Sequence, residues 1–228
     1  MASQRTKKLM TKAMGLVFGV VFLIGSYYKI AETFEATPEQ MLVQAEYQLR
    51  EGKLQEALDS LEQAKQKGQP DKRLYVLQAQ IYRQQKQYPK ALEALKTAQN
   101  NDVANSLLHE MEGMIYLTLK QVPQAEAAFK RAVQVAPKDA AAHNNLGAFY
   151  VQTGRPELGI PAFERAVALR PDFADAQLNL GIVSRERGDI QKARVALERY
   201  LQLKPNAPEK TQIETWLLTS APATNTKD

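Results

Sequence analysis

Read in steps of 34 residues, the chain repeats itself. Ala45, Ala79, Gly113, Gly147 and Gly181 form one column at that spacing, and Ala57, Ala91, Ala125, Gly159 and Ala193 a second. Leu61, Leu95, Phe129, Phe163 and Leu197 form a third, and Ala64, Ala98, Ala132 and Ala166 a fourth that the larger Tyr200 closes. Five units follow without insertion or deletion: 38–71, 72–105, 106–139, 140–173 and 174–207, a repeat region of 38–205 whose last register runs on to 207. A fixed period of this length limits the chain to stacked supersecondary units, because one unit is too small to bury its own apolar face.

Within a unit the spacing is helical. Leu146, Gly147 and Tyr150 lie at i, i+1 and i+4 and share one face of a first helix. Gly159, Phe163 and Ala166 share one face of a second. Gly154 and Pro156 punctuate between them, and Pro171 ends the second. Small residues at the crossing points let two helices approach, while Phe163 and Tyr150 fill the space beside them.

With LGAFY followed by Gly159, Phe163, Ala166 and Pro171, the unit resembles the tetratricopeptide repeat. The resemblance implies an all-α fold: a right-handed α-solenoid of five helix-turn-helix units with a C-terminal capping helix, preceded here by one N-terminal transmembrane helix. Two columns depart from the pattern. The early aromatic of the first helix is replaced by Met41, Tyr75, His109, His143 and Gln177. The terminal proline, present as Pro137, Pro171 and Pro205, gives way to Gln69 and Val103 in the first two units.

The formal net charge is +5, of which +3 belongs to residues 1–37. A near-neutral repeat array lacks the electrostatic footprint of a nucleic-acid binder. There is no cysteine, so disulfides, thiolate metal sites and a cysteine nucleophile are excluded.

Residues 1–12 form a basic segment with Arg5, Lys7, Lys8 and Lys12 and no acid. Residues 13–28, AMGLVFGVVFLIGSYY, are uncharged and mostly apolar. As a helix they reach about 24 Å, somewhat short of a hydrocarbon core of roughly 30 Å. Snorkelling of Lys12 and Lys29, with Tyr27 and Tyr28 at the interface, makes up the difference. No small-x-small cleavage site follows Gly25, which favours an uncleaved anchor in the bilayer over a signal peptide. The basic flank puts the N-terminus in the cytoplasm and the repeats on the periplasmic or lumenal side. Gly15 and Gly19 make a GxxxG spacing that permits a homodimer through the span, although glycine is common in membrane helices generally.

Residues 29–37 form a linker into Thr37-Pro38-Glu39-Gln40, a capping-box helix start. Residues 206–220 predict a capping helix with Ile213, Trp216 and Leu217 on one face, the lid an end repeat needs. Residues 221–228 read as a disordered tail.

No phosphate loop, zinc-protease motif or nucleophile elbow occurs, so an enzyme is not expected and no cofactor is implied. His109 and His143 stand at equivalent places of adjacent units; two histidines without a third ligand make a poor metal site, and both replace a packing aromatic. Arg83, Lys86, Lys90 and Lys96 read as a solvated face.

The resemblance implies a groove lined by the first helices. Carried over, its residues are Val76, Leu77 and Gln80, then Met111 and Met114, then Asn144, Asn145 and Ala148, then Leu178, Asn179 and Ile182. Asn145 and Asn179 would form successive rungs whose amides match the backbone of an extended peptide, and the apolar residues suit protein recognition. The Lys and Arg of the clamp that holds chaperone tails are missing: Leu42, Val43, Glu46, Leu77, Leu107 and Met111 stand there. Three roles follow: a membrane-anchored adaptor or assembly factor binding a protein or extended peptide, a homo-oligomeric scaffold, or a non-catalytic subunit of a membrane-associated enzyme complex.

Overall fold

The computed structural model describes residues 36–68, 72–101 and 105–220, and these form eleven helices and no strand. The expected membrane span, the linker up to residue 35 and the tail 221–228 lie outside the described residues. Among those described, no helix is long and apolar enough to cross a membrane.

The chain divides into two compact units at Pro70/Asp71. The described part of the first is one helix pair, α1 (Pro38–Arg50) and α2 (Leu54–Lys67). Thr37 and Gln40 form a reciprocal capping box, with the Gln40 amide donating to Thr37 Oγ1 at 3.2 Å and the Thr37 amide to Gln40 Oε1 at 2.9 Å. Pro38 sits at the first helical position, where its missing N–H has no helical partner to lose. Ala45, Ala57, Leu61 and Ala64 make the crossing. Ser60 Oγ donates to Gln48 Oε1 at 2.8 Å, so the polar residue that stands in the column of Tyr82, Tyr116 and Tyr150 is satisfied where it is buried. Tyr47 is 60% exposed although Ile81, Ile115, Phe149 and Val183, its counterparts one period on, are buried.

The second unit holds four helix pairs and a last helix: α3 (Lys72–Gln84) and α4 (Tyr88–Asn101), α5 (Ser106–Thr118) and α6 (Val122–Val135), α7 (Ala140–Gln152) and α8 (Pro156–Leu169), α9 (Ala174–Glu186) and α10 (Ile190–Leu203), then α11 (Lys210–Thr219). The last helix starts at Lys210 rather than near 206, because residues 205–209 form turns, with the Lys210 amide donating to the Ala207 carbonyl at 3.1 Å. It docks through Ile213, with Trp216 and Leu217 partly buried, against Ala174, Leu197 and Tyr200. Arg194 adds a hydrogen bond to the Leu217 carbonyl.

Every first helix ends in the same way. Gly52, Lys86, Lys120, Gly154 and Gly188, one period apart, adopt positive φ between 58° and 80°. The next residue's amide then reaches back to the carbonyl five residues before it, as Arg155 does to Tyr150 and Gln121 to Tyr116, both at 2.8 Å. This is the Schellman closure, which satisfies carbonyls the helix end leaves unpaired. It aims the second helix back along the first.

In the second unit, the first helices α5, α7 and α9 touch one another in succession, and the second helices α4, α6 and α8 each pack between two first helices. The joints are apolar. Phe129 meets Phe149 with ring centroids 5.3 Å apart, and Phe163 packs with Leu180, Val183 and Ala196. The row of first helices therefore presents its own free face, which carries the residues discussed next.

Candidate functional site: the face of the first helices

Four register columns of this face behave differently, and the difference follows from helix phase. Column 80, 114, 148, 182 looks outward: Met114 is 41% exposed, Ala148 is exposed, and Gln80 and Ile182 are half-buried. Column 73, 107, 141, 175, two turns earlier, also reaches solvent, with Leu107 48% exposed. Column 76, 110, 144, 178 is the floor between them. Val76 and Leu178 are half-buried there, and Glu110 and Asn144 are buried.

Column 77, 111, 145, 179 does not face the groove as expected. From repeat 3 onward it faces the joint with the preceding repeat. Met111 is packed among Ala91, Leu95 and Ala98 of α4, and Leu77 is buried as well, so neither presents an apolar anchor to a ligand. The two asparagines in the same column obey the same geometry. Asn145 Nδ2 donates to Glu110 Oε2 at 2.6 Å and Asn179 Nδ2 to Asn144 Oδ1 at 3.0 Å, both back to the floor of the preceding repeat. Their first engagement is thus a polar stitch between successive first helices, with each amide keeping further donor and acceptor capacity.

Glu110 was not singled out from the sequence, and Leu107 was noted only as a position where a basic clamp residue is missing. Glu110 is 5% exposed, and its second carboxylate oxygen, Oε1, is buried without a hydrogen-bond partner. Burial pushes its carboxyl above the usual carboxylate range; the Asn145 bond pulls the other way, and Asp139 adds to the upward push. The available signal was its column: the acid stands where Asn144 stands one repeat later.

The histidines serve packing and caps. His109 Nδ1 lies 3.4 Å from Gln99 Nε2 and 3.5 Å from Glu112 Oε2, while His143 Nε2 lies 3.0 Å from the Pro137 carbonyl. Among the described residues no three of His, Asp and Glu gather as a metal site. On the other side of the joint between repeats 3 and 4, Glu126 takes hydrogen bonds from Lys130 and Arg155, each at 2.7 Å, which hold its carboxyl below the ordinary range. The Arg155 guanidinium also lies 5.4 Å and 5.0 Å from the ring centres of Phe149 and Tyr150.

With this geometry in place, comparison with known families is decisive. The tetratricopeptide-repeat profile matches residues 42–105, 110–171 and 150–208. The chain belongs to the tetratricopeptide-repeat family. That family consists of protein-interaction modules, and the fold likeness extends to solved structures. Against Pseudomonas aeruginosa pilF the TM-score is 0.66 at 15% identity, covering 80% of this chain and 88% of that one. Against YrrB, described as a TPR protein with an unusual peptide-binding site, it is 0.56 at 20% identity, covering 83% and 97%. Against the APC/C hetero-tetramer Cut9–Hcn1 it is 0.61 at 19% identity, covering 81% of this chain and 36% of that chain. No curated protein sequence matches the chain significantly. At these identities the solved structures establish the tetratricopeptide fold alone.

Proposed function

We propose that this tetratricopeptide-repeat protein is a non-catalytic adaptor or assembly factor that captures an extended protein segment on the face of its first helices. The observation that carries this reading is the pairing of Leu107 and Met114, two large apolar side chains left exposed on one face of α5. Ala148 and Ile182 continue that outward column along α7 and α9. Apolar side chains in a row on a solvated face suit protein contact, and a flexible methionine suits variable partners. The remaining valences of Asn145 and Asn179 supply backbone-matching polar groups beside them.

In the same proposal residues 13–28 tether the protein to a bilayer, with the repeats on the periplasmic or lumenal side. Support comes from the sixteen uncharged residues and their basic flank. Retention in the membrane after alkaline extraction, and its loss when residues 1–28 are removed, tests the tether.

The capture reading is tested by quantitative co-purification from native membranes. Leu107→Glu with Met114→Glu should remove the specific partner, whereas Val195→Glu should not. Val195 is 69% exposed on a second helix, beside a depression lined by Val167, Leu180 and Ala196. Loss with Val195→Glu and retention with the α5 pair would move the site to the second helices.

A further inference from the structure

The two polar stitches between first helices are built differently, and the difference isolates Glu110. Between repeats 4 and 5, Asn179 donates to the neutral amide of Asn144. Between repeats 3 and 4, Asn145 donates to a carboxylate in the same register, Glu110. The neutral version shows that the stitch itself does not require a charge. Glu110 nevertheless carries one to a position only 5% exposed, and leaves Oε1 with no partner. A buried, half-satisfied carboxylate is costly for the free chain. Leu107 lies one turn before it and Met114 one turn after it on the same face of α5, and both are exposed.

We propose that Glu110 receives a basic side chain, Lys or Arg, of the bound segment, with apolar residues of that segment settling on Leu107 and Met114. This rests on the reading of the first-helix face as the binding groove. A cationic donor supplies what Oε1 lacks, and a charge-assisted bond between desolvated groups is stronger than a neutral one. The occupant follows from charge complementarity: an acidic segment would meet Glu110 with a like charge, and a purely apolar one would leave Oε1 unsatisfied. Oε1 is covered in the free chain, so access requires neighbouring side chains to give way.

The test is selection of displayed random dodecapeptides on the full-length chain, followed by affinity measurements on the synthetic consensus by fluorescence anisotropy. Selected peptides should carry Lys or Arg at one position flanked by apolar residues. Replacing that base by norleucine should weaken binding to the wild-type chain by about tenfold or more, and Glu110→Gln should weaken binding of the basic peptide to a similar extent. The norleucine arm needs no protein variant, so it stands even if Glu110→Gln does not fold. Peptides lacking a preferred base, or a basic peptide bound equally by wild type and Glu110→Gln, would overturn the role of Glu110. If those peptides were still lost with Leu107→Glu and Met114→Glu, the groove reading would survive. Peptides indifferent to all these changes, or none selected at all, would overturn both.

Discussion

Repeat 4 is the only unit with glycine in both crossing columns, Gly147 and Gly159, and its helices make a backbone-to-backbone contact there. A Cβ added at Gly159 would sit 2.9 Å from the Gly147 carbonyl oxygen and 2.9 Å from Val151 Cγ2. The carbonyl belongs to the α7 backbone and cannot rotate away, so Gly159→Ala must push α7 and α8 apart. Two effects compete. Alanine is better than glycine inside a helix by about 1 kcal/mol. Overpacking a tight crossing costs about 1–3 kcal/mol, and an obstacle made of backbone belongs at the upper end. The net expectation is destabilisation of roughly 1–2 kcal/mol, about 3–6 °C in melting temperature for a chain of this size. Thermal unfolding followed by circular dichroism measures it. Ala91→Gly, in the same column of repeat 2, is the control: it too should destabilise, by roughly 1 kcal/mol, because the crossing there is built around a methyl group. A higher melting temperature for Gly159→Ala would refute the reasoning, since propensity alone would then be deciding.

Three further outcomes follow. Because burial raises the folded-state pKa of Glu110, its contribution to stability is intact below the unfolded-state value and is lost as pH rises through the raised folded value. Glu110→Gln, which mimics the protonated acid, should therefore melt above wild type at pH 7 and close to it at pH 4, as read by melting across that range. Lys120→Gly should stabilise by about 0.5–1 kcal/mol in urea unfolding, because a lysine holds positive φ at 58° where Gly154 and Gly188 do so without a Cβ. Ile213→Ala should cost about 2–4 kcal/mol locally, opening the lid over Leu197 and Tyr200, and amide exchange should accelerate in α10 and α11 while α5 keeps its protection.

The period made the helix pairs legible, because a column of small residues opposite a column of large apolar ones has one packing solution. Helix ends were legible where chemistry is local, as in the Thr37 capping box. The start of α11 was not, because Asn206 and Pro208 serve equally well in the turns that precede it. Of the columns expected to line the groove, the one through Met111, Asn145 and Asn179 lies one residue of helix phase away from the free face. A step of 100° separates the floor column of Glu110 from the joint column of Met111, and the notion of a groove does not resolve that angle. The column itself held the clue. Methionine at 111 marks a joint that excludes water, so Asn145 and Asn179 in the same column had to find partners across it. Glu110 escaped notice because an acid two residues from another, Glu112, reads as solvated until its neighbours are placed.

The central claim is that the first-helix face holds an extended protein segment, and photo-crosslinking in native membranes tests it most directly. A photoreactive amino acid replaces Met114 in one chain and Val195 in another, both being exposed positions, the one on a first helix of repeat 3 and the other on the second helix of repeat 5. The account predicts one discrete heterologous adduct from position 114 and none from 195. An adduct from 195 alone, a band at twice the chain mass, or no adduct from 114 would contradict it.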